Sequence, residues 1–359
     1  MRLADVHEKI IRREGPWLWA AWLLQPAAFL YMAGAMLNRF RFRRGFFSRR
    51  SFPGTVIVSV GNIEVGGVGK TPVTIRIARK LSDMGLKVAV VAKNLGAGKH
   101  VPVAVRPGKS SGAVTLSDEP VLLGRALRDY CTVYAGPDKT EAVQRAVREQ
   151  KPHVVVVDDG FQHHKLHRDI DVVVLNAEHP FGMGGLLPAG TLREHTGVLK
   201  KADYLWINGV TSKPQLSLAR RLIASRNWQA PFIASSIVPG KPVRHDGSSD
   251  RPGRVVAFCG IGKPHGFRSI LERTGFTIDQ FRVFPDHWRY RESDIRMLGS
   301  ALRKSGAEYL ITTEKDAARL GPAMVKKLDI RVLPIGLSVD ETGTEEELLG
   351  NILELTEGI

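Results

Sequence analysis

The segment Gly61-Asn62-Ile63-Glu64-Val65-Gly66-Gly67-Val68-Gly69-Lys70-Thr71 constrains this chain more than any other stretch. It follows a short β-branched run, Thr55 to Val60. It precedes Pro72 to Met84, where Val73, Ile77, Ala78 and Leu81 fall at helical spacing. A strand, a glycine-rich turn and a helix in that order present backbone N–H groups and the positive end of the helix to an anion. Lys70 then suits the terminal phosphates of a nucleotide, and the Thr71 hydroxyl suits Mg²⁺. Gly66, Gly67, Val68, Gly69, Lys70 and Thr71 are therefore the candidate ATP-binding residues. The match is not strict: Glu64 stands where the consensus has its first Gly, and Val65 where the MinD-like variant has a Lys.

Lys87 to Ala92 (KVAVVA) reads as the next strand and completes a βαβ unit. Apolar runs at CTVYAG, HVVVVDD, DVVVLN and YLWING follow, with helical stretches at Thr140 to Gln150 and Leu216 to Asn227 between several of them. This alternation predicts an α/β fold of the P-loop NTPase kind, with a largely parallel sheet covered by helices on both faces. The stretch VPGKPVRHDGSSDRPGR is rich in Pro, Gly, Ser and charge and reads as a linker or hairpin. The expected units are a P-loop core over 51–240, a linker over 241–253 and a smaller C-terminal α/β lobe over 254–359. RVVAFCG, Phe267 to Phe276, EYLITT and IRVLPIGL build that lobe, and the acidic tail from Asp340 to Glu357 reads as a surface helix. Gly260-Ile261-Gly262 with Gly266 lacks dinucleotide-fingerprint spacing and reads as an ordinary strand-to-helix turn.

The strand His153 to Val157 ends in Asp158-Asp159-Gly160. Two acids at a strand end beside a phosphate loop suit Mg²⁺, bound directly or through water. His163, His164 and His167 lie just downstream, but no Cys lies near them to complete a zinc set. Cys131 and Cys259 sit inside apolar runs, which fits reduced core thiols and a cytoplasmic catalytic body.

Residues 1–50 differ from the rest. From Pro16 to Leu37 the one strongly polar side chain is Gln25, and a single straight helix of that length would cross a hydrocarbon core. Pro26 falls mid-segment and predicts a break. Arg12 and Arg13 precede the run, and Arg39, Arg41, Arg43, Arg44, Arg49 and Arg50 follow it. Trp17, Trp19, Trp22 and Tyr31 are of the kind enriched at headgroup depth. The expectation is a segment lying in or dipping into the inner leaflet and drawn to anionic lipid. An apolar helix packed on the protein's own core is the competing reading. A cleaved signal peptide would carry a nucleotide-binding domain away from ATP. Lys and Arg outnumber Asp and Glu by 52 to 36, which favours anionic partners without choosing between nucleotide, acidic lipid and nucleic acid.

The blocks GNIEVGGVGKTP, Asp118-Glu119-Pro120, DDGFQH (Asp158 to His163), LPAGTLRE (Leu187 to Glu194), FPDH (Phe284 to His287) and TTEKDA (Thr312 to Ala317) occur in this order. Together they resemble the tetraacyldisaccharide 4'-kinases of the lipid A pathway, and the apolar N-terminal run has its counterpart there. The resemblance implies transfer of the γ-phosphoryl of ATP to the 4'-hydroxyl of a tetraacylated glucosamine disaccharide 1-phosphate. It also implies action at the cytoplasmic face of the inner membrane, as a peripheral or monotopic protein, with no nucleic-acid partner. It gives Lys70 and Thr71 to phosphate and metal, Asp158 and Asp159 to the metal region, and Arg193 with Glu194 to the γ-phosphate and its Mg²⁺. Asp118 and His287 match the pair that activates the sugar hydroxyl. One block departs: Ala92-Lys93-Asn94-Leu95-Gly96 stands where the family usually shows Ser-Arg-Gly-Tyr-Gly. The alternative is a P-loop ATPase or GTPase of the MinD or metallochaperone type. A basic membrane-binding protein that has lost its chemistry is disfavoured by intact Lys70, Thr71, Asp158 and Asp159.

Overall fold

The computed structural model describes residues 11, 18–43, 48–95, 101–105, 116–226, 228–340 and 342–358. Trp17, Arg12, Arg13, Arg44 and Gly96 lie outside them.

The larger sheet is organised by the apolar runs that the sequence displays. Its nine strands are β1 (Val56–Gly61), β2 (Val88–Lys93), β3 (Val103–Val105), β4 (Thr132–Gly136), β5 (Val154–Asp158), β6 (Ile170–Asn176), β7 (Tyr204–Asn208), β8 (Phe232–Pro239) and β13 (Ile335–Val339). They lie in the order β13-β8-β7-β6-β1-β5-β2-β4-β3. All neighbours are parallel except the two edges, where β13 runs antiparallel to β8 and β3 antiparallel to β4. Burial on both faces explains the continuous valines of β5. Val154 and Val156 join a core with Val73, Ile77 and Leu81 of helix α3 (Lys70–Asp83) and Leu123 of helix α4 (Asp118–Ala126). Val155 and Val157 point the other way, into a core with Ala142, Val143 and Ala146 of helix α5 (Lys139–Gln150).

The smaller sheet is wholly parallel, in the order β10 (Thr277–Val283), β9 (Arg254–Cys259), β11 (Tyr309–Thr313) and β12 (Arg331–Leu333). After helix α6 (Lys213–Ala224) of the large layer comes helix α7 (Pro264–Arg273), which covers one face of the small sheet through Phe267 and Leu271. Helices α8 (Glu292–Lys304) and α9 (Glu314–Lys327) cover the other through Ile295, Leu298, Leu320 and Val325. The expected 254–359 boundary therefore differs from the structure. IRVLPIGL is not one strand: Pro334 has no N–H for a ladder, and the chain passes there from β12 in the small sheet to β13 in the large one. The acidic tail is helix α10 (Thr342–Glu357). It buries Leu348, Leu349 and Ile352 in the large core, and Glu345 pairs with Arg76 at 2.5 Å. The small lobe is an insertion before the last strand and helix of the P-loop unit.

The N-terminal run forms α1 (Leu18–Leu23) and α2 (Gln25–Arg43), with Pro26 in the first turn of α2, where a missing N–H is harmless. Trp22, Leu23 and Leu30 are 72%, 69% and 72% exposed, and among the described residues of the two helices Ala28 is the buried apolar one. The pair is thus not a helix sunk in the protein's own core. Among the described residues no helix is long and apolar enough to cross a membrane.

Candidate active site

The C-terminal ends of β1, β2, β5 and β7 meet at one edge of the large sheet, the usual ligand side of an open parallel sheet. The phosphate loop leaves β1 there and re-enters as α3. Gly69 caps α3 in the left-handed region (φ 90°), and a Cβ at that position would lie 1.9 Å from the Asn208 amide nitrogen. Only glycine satisfies both demands. Asn208, the last residue of β7, donates to the Val68 carbonyl at 2.9 Å and accepts from the Ser235 hydroxyl at 3.0 Å. Ser235 in turn accepts from the Trp206 indole at 2.7 Å. A buried side-chain chain therefore holds the loop from behind. Asn62 supports its front, donating to the Glu64 carbonyl at 2.6 Å and accepting from Lys70 at 3.1 Å.

Two groups of charged residues stand at the loop. In the first, Asp158 is 3% exposed, accepts from Thr74 at 3.0 Å and lies 3.5 Å from the Thr71 hydroxyl. Burial, followed by the neighbouring Glu119 carboxylate, pushes Asp158 up to about 6. In the second, Asp159 lies 3.4 Å from Lys70 and 3.1 Å from Arg193. Burial raises its pKa, but Lys70, Lys139 and Arg193 outweigh that and hold it at about 2. Asp159 adopts φ 52°, a left-handed turn that aims the two adjacent acids in different directions.

Glu194 is not gathered with these carboxylates. It is 8% exposed, and one oxygen pairs with Arg39 of α2 while Oε1 is buried without a hydrogen-bond partner. Burial raises its pKa, with Arg39 acting in the opposite sense. Among the described residues no group of three or more His, Cys, Asp or Glu side chains is drawn together as a metal cluster. Mg²⁺ does not require one, because it usually takes one or two carboxylates together with phosphate and water. The Thr71–Asp158 pair supplies hard oxygen donors of that kind.

Asp118 and His287 are brought together from the two lobes: His287 Nδ1 lies 3.2 Å from Asp118 Oδ2. Asp118 opens α4, whose N-cap residue Ser117 donates through its N–H and hydroxyl to Asn94 at 2.9 and 3.1 Å. The departing loop after β2 thus anchors the start of this helix. His287 follows β10 in a loop, at φ 56°, with 70% of its side chain exposed. Its backbone N–H is held by the Asp286 carboxylate at 2.9 Å.

Sequence reasoning missed several residues here. Lys139, at the start of α5, is 5% exposed and donates to the Asp159 carbonyl; burial lowers its pKa against the pull of Asp159 and Asp158. Its signal was the strand-to-turn context of Gly136-Pro137-Asp138-Lys139. Asn208 also ends a buried parallel strand, but no local signal ties it to Val68. Arg319 and Glu119 lay unassigned within or beside blocks already singled out.

A family model described as Tetraacyldisaccharide-1-P 4'-kinase matches residues 20–353. The chain belongs to that family. A Tetraacyldisaccharide 4'-kinase of Syntrophus aciditrophicus is 34% identical over 349 residues, covering 92% of each chain. One from Chlorobaculum parvum is 35% identical over 353 residues, covering 93% of this chain and 96% of the relative. One from Anaeromyxobacter dehalogenans is 35% identical over 304 residues, covering 82% and 80%. The crystal structure of an "apo" form LpxK from Aquifex aeolicus in complex with ATP matches with a TM-score of 0.71 at 24% identity. It covers 93% of this chain and 99% of that one, and this likeness shows the fold. Matches to the tetraacyldisaccharide-1-P 4'-kinase family that begin near residue 20 take in the exposed helices α1 and α2 as well as both lobes.

Proposed function

We propose that this kinase transfers the γ-phosphoryl of ATP to the 4'-hydroxyl of a tetraacylated glucosamine disaccharide 1-phosphate, a lipid A precursor. The observation that carries the chemistry is the Asp118–His287 contact across the lobes, at the same sheet edge as the phosphate loop. A nucleotide switch needs no such acceptor-side pair, so no observation favours the MinD or metallochaperone alternative.

In this reading the loop amides and Lys70 hold the triphosphate, and Lys70 and Arg193 exchange the Asp159 carboxylate for phosphate oxygens. Thr71 and Asp158, with Asp159 beside them, are the residues that would hold Mg²⁺, whereas Glu194 stands apart on Arg39. That ion supplies charge neutralisation on the transferring group. Asp118 fixes the His287 ring with its Nδ1 proton inward, leaving the Nε2 lone pair to accept the sugar hydroxyl proton. The hydroxyl oxygen bonds to Pγ as the Pγ–O bond to the β-phosphate breaks and ADP leaves. Asp118 and His287 meet from separate lobes, so lobe closure would exclude water and limit ATP hydrolysis.

The site of action in this reading is the cytoplasmic face of the inner membrane, with α1 and α2 lying in the interface. The exposed Trp19, Trp22, Phe29 and Leu30 and the exposed Arg41 support it, since burial of apolar surface and attraction to anionic lipid act together. High salt should then release the intact protein from membranes only partly, and complete release would contradict insertion. The test of activity is thin-layer separation of lipids after incubation with γ-labelled ATP and a lipid A disaccharide precursor. Label should enter the lipid fraction in an Mg²⁺-dependent way. Label released only as inorganic phosphate would sink the proposal.

A further inference from the structure

The TTEKDA block opens β11 into α9 and carries no role in the chemistry above. Its Asp316 is fully buried and collects donors from three directions: the Gly260 N–H at 2.9 Å, the Tyr290 hydroxyl at 2.9 Å and the Thr313 hydroxyl at 2.6 Å. One turn later on α9, Arg319 donates to the same carboxylate at 3.1 Å and also to the Gly260 carbonyl. Its side chain is 4% exposed, and it crosses to the other lobe, where Nε donates to Asp118 Oδ2 at 2.6 Å. A further nitrogen, Nη2, lies 3.3 Å from His287 Nδ1. That ring nitrogen cannot accept from Arg319 and donate to Asp118 at once, so the guanidinium, the carboxylate and the imidazole form one interdependent unit.

We propose that Arg319 is the positioning residue of the acceptor-activating pair: tied to the small lobe through Asp316 and Gly260, it fixes Asp118 of the large lobe opposite His287. The geometry explains why an arginine is suited to the place. A planar fork with several donors in fixed directions serves Asp316, the Gly260 carbonyl and Asp118 together, whereas a lysine ammonium serves as a compact charge without that fork. Burial makes the arrangement costly to break, because each partner would be left with an unmet polar group. The same anchor governs the His287 loop. Gly260 packs against it closely enough that a Cβ would lie 2.9 Å from the Pro285 carbonyl, and Tyr290 on the loop's far side bonds Asp316. Asp316 and Arg319 therefore hold both members of the pair, one through each lobe.

This inference rests on the proposed Asp118–His287 role. Its test is steady-state kinetics of the full-length enzyme carrying Arg319→Ala, Arg319→Lys, Asp118→Ala or Arg319→Ala with Asp118→Ala, each checked by thermal melting. Arg319→Ala should lower kcat about 100-fold, in the range of lost general-base function, with KM for ATP changed less than about twofold. Arg319→Lys should recover about tenfold of that loss, since the charge returns without the fork. The double variant should be little worse than Asp118→Ala, because Arg319 acts through Asp118. Losses that multiply with Asp118→Ala, or a kcat for Arg319→Ala within about twofold of wild type, overturn the inference and leave the pair standing. Near-normal activity of Asp118→Ala itself removes the pair and the inference with it. Should Arg319→Ala fail to fold, Arg319→Lys decides: reduced kcat with unchanged melting and ATP KM supports positioning, and unchanged kcat contradicts it.

Discussion

The two halves of the candidate site are built differently. On the phosphate side Lys70, Thr71, Asp158 and Asp159 stand at or next to the end of a buried strand or the start of a helix of one sheet. Asn208, Asn62 and Gly69 fix the loop from behind, in front and at its corner. On the acceptor side His287 sits in an exposed loop at positive φ, and its partner comes from another lobe. The first half is preorganised by the fold itself. The second depends on how two lobes meet, so in the proposed reading the base is assembled only when they are in register.

Lys70→Ala, or Asp158→Asn with Asp159→Asn, should lower turnover by about 10³-fold or more while melting stays cooperative, because positioning and charge neutralisation dominate phosphoryl transfer. Near-normal Mg²⁺-ATP-dependent activity in either would remove the phosphate-side assignment. Asn208→Ala leaves every phosphate ligand in place but withdraws the brace from Val68. It should raise KM for ATP about tenfold and leave the acceptor's KM unchanged, reflecting loss of roughly 1–3 kcal/mol for a broken buried hydrogen bond. An unchanged ATP KM would show that the loop holds its shape without β7.

The smallest effect concerns stability. Burial holds His163 and His164 down to about 4 from an ordinary value near 6.5, Asp138 opposing it at His163 and Arg39 adding to it at His164. Neutral rings are favoured in the fold, so this contribution is fully present above about pH 6.5 and is lost as pH falls toward 4. Asp158, held up at about 6, works in the opposite sense, gaining stability on acidification. The informative quantity is therefore the difference between proteins. Denaturant melts at pH 7 and pH 5 should show His163→Gln with His164→Gln losing less stability on acidification than wild type. Equal losses would show that these rings titrate normally.

The phosphate side was legible because its signals are local. A strand, a glycine turn, Lys70-Thr71 and a doublet of acids each sit within a few residues of the elements that aim them. The central strands were legible for the same reason, as valine-rich runs buried on both faces. Asn208 was not, because its partner Val68 is brought to it by sheet order alone. Lys139 looked like a helix-start surface lysine, and only the fold turns it onto Asp159. The C-terminal boundary failed at Pro334, which marks a change of sheet rather than a break within a strand. The buried spacing of Leu348, Leu349 and Ile352 was visible in the acidic tail but outweighed by its charge. Asp118 and His287 became a pair only through resemblance, since no periodicity relates residues in separate lobes. Their meeting at 3.2 Å is the structure's own observation.

The central claim, that one base is assembled from both lobes, is tested most directly by steady-state kinetics of Asp118→Ala, His287→Ala and the double variant. Each single change should depress kcat by about 10²–10⁴-fold with little change in KM for ATP, and the double variant should be little worse than the poorer single. Independent, multiplicative losses, or losses confined to the KM for ATP, would contradict it and reduce His287 to a structural loop residue.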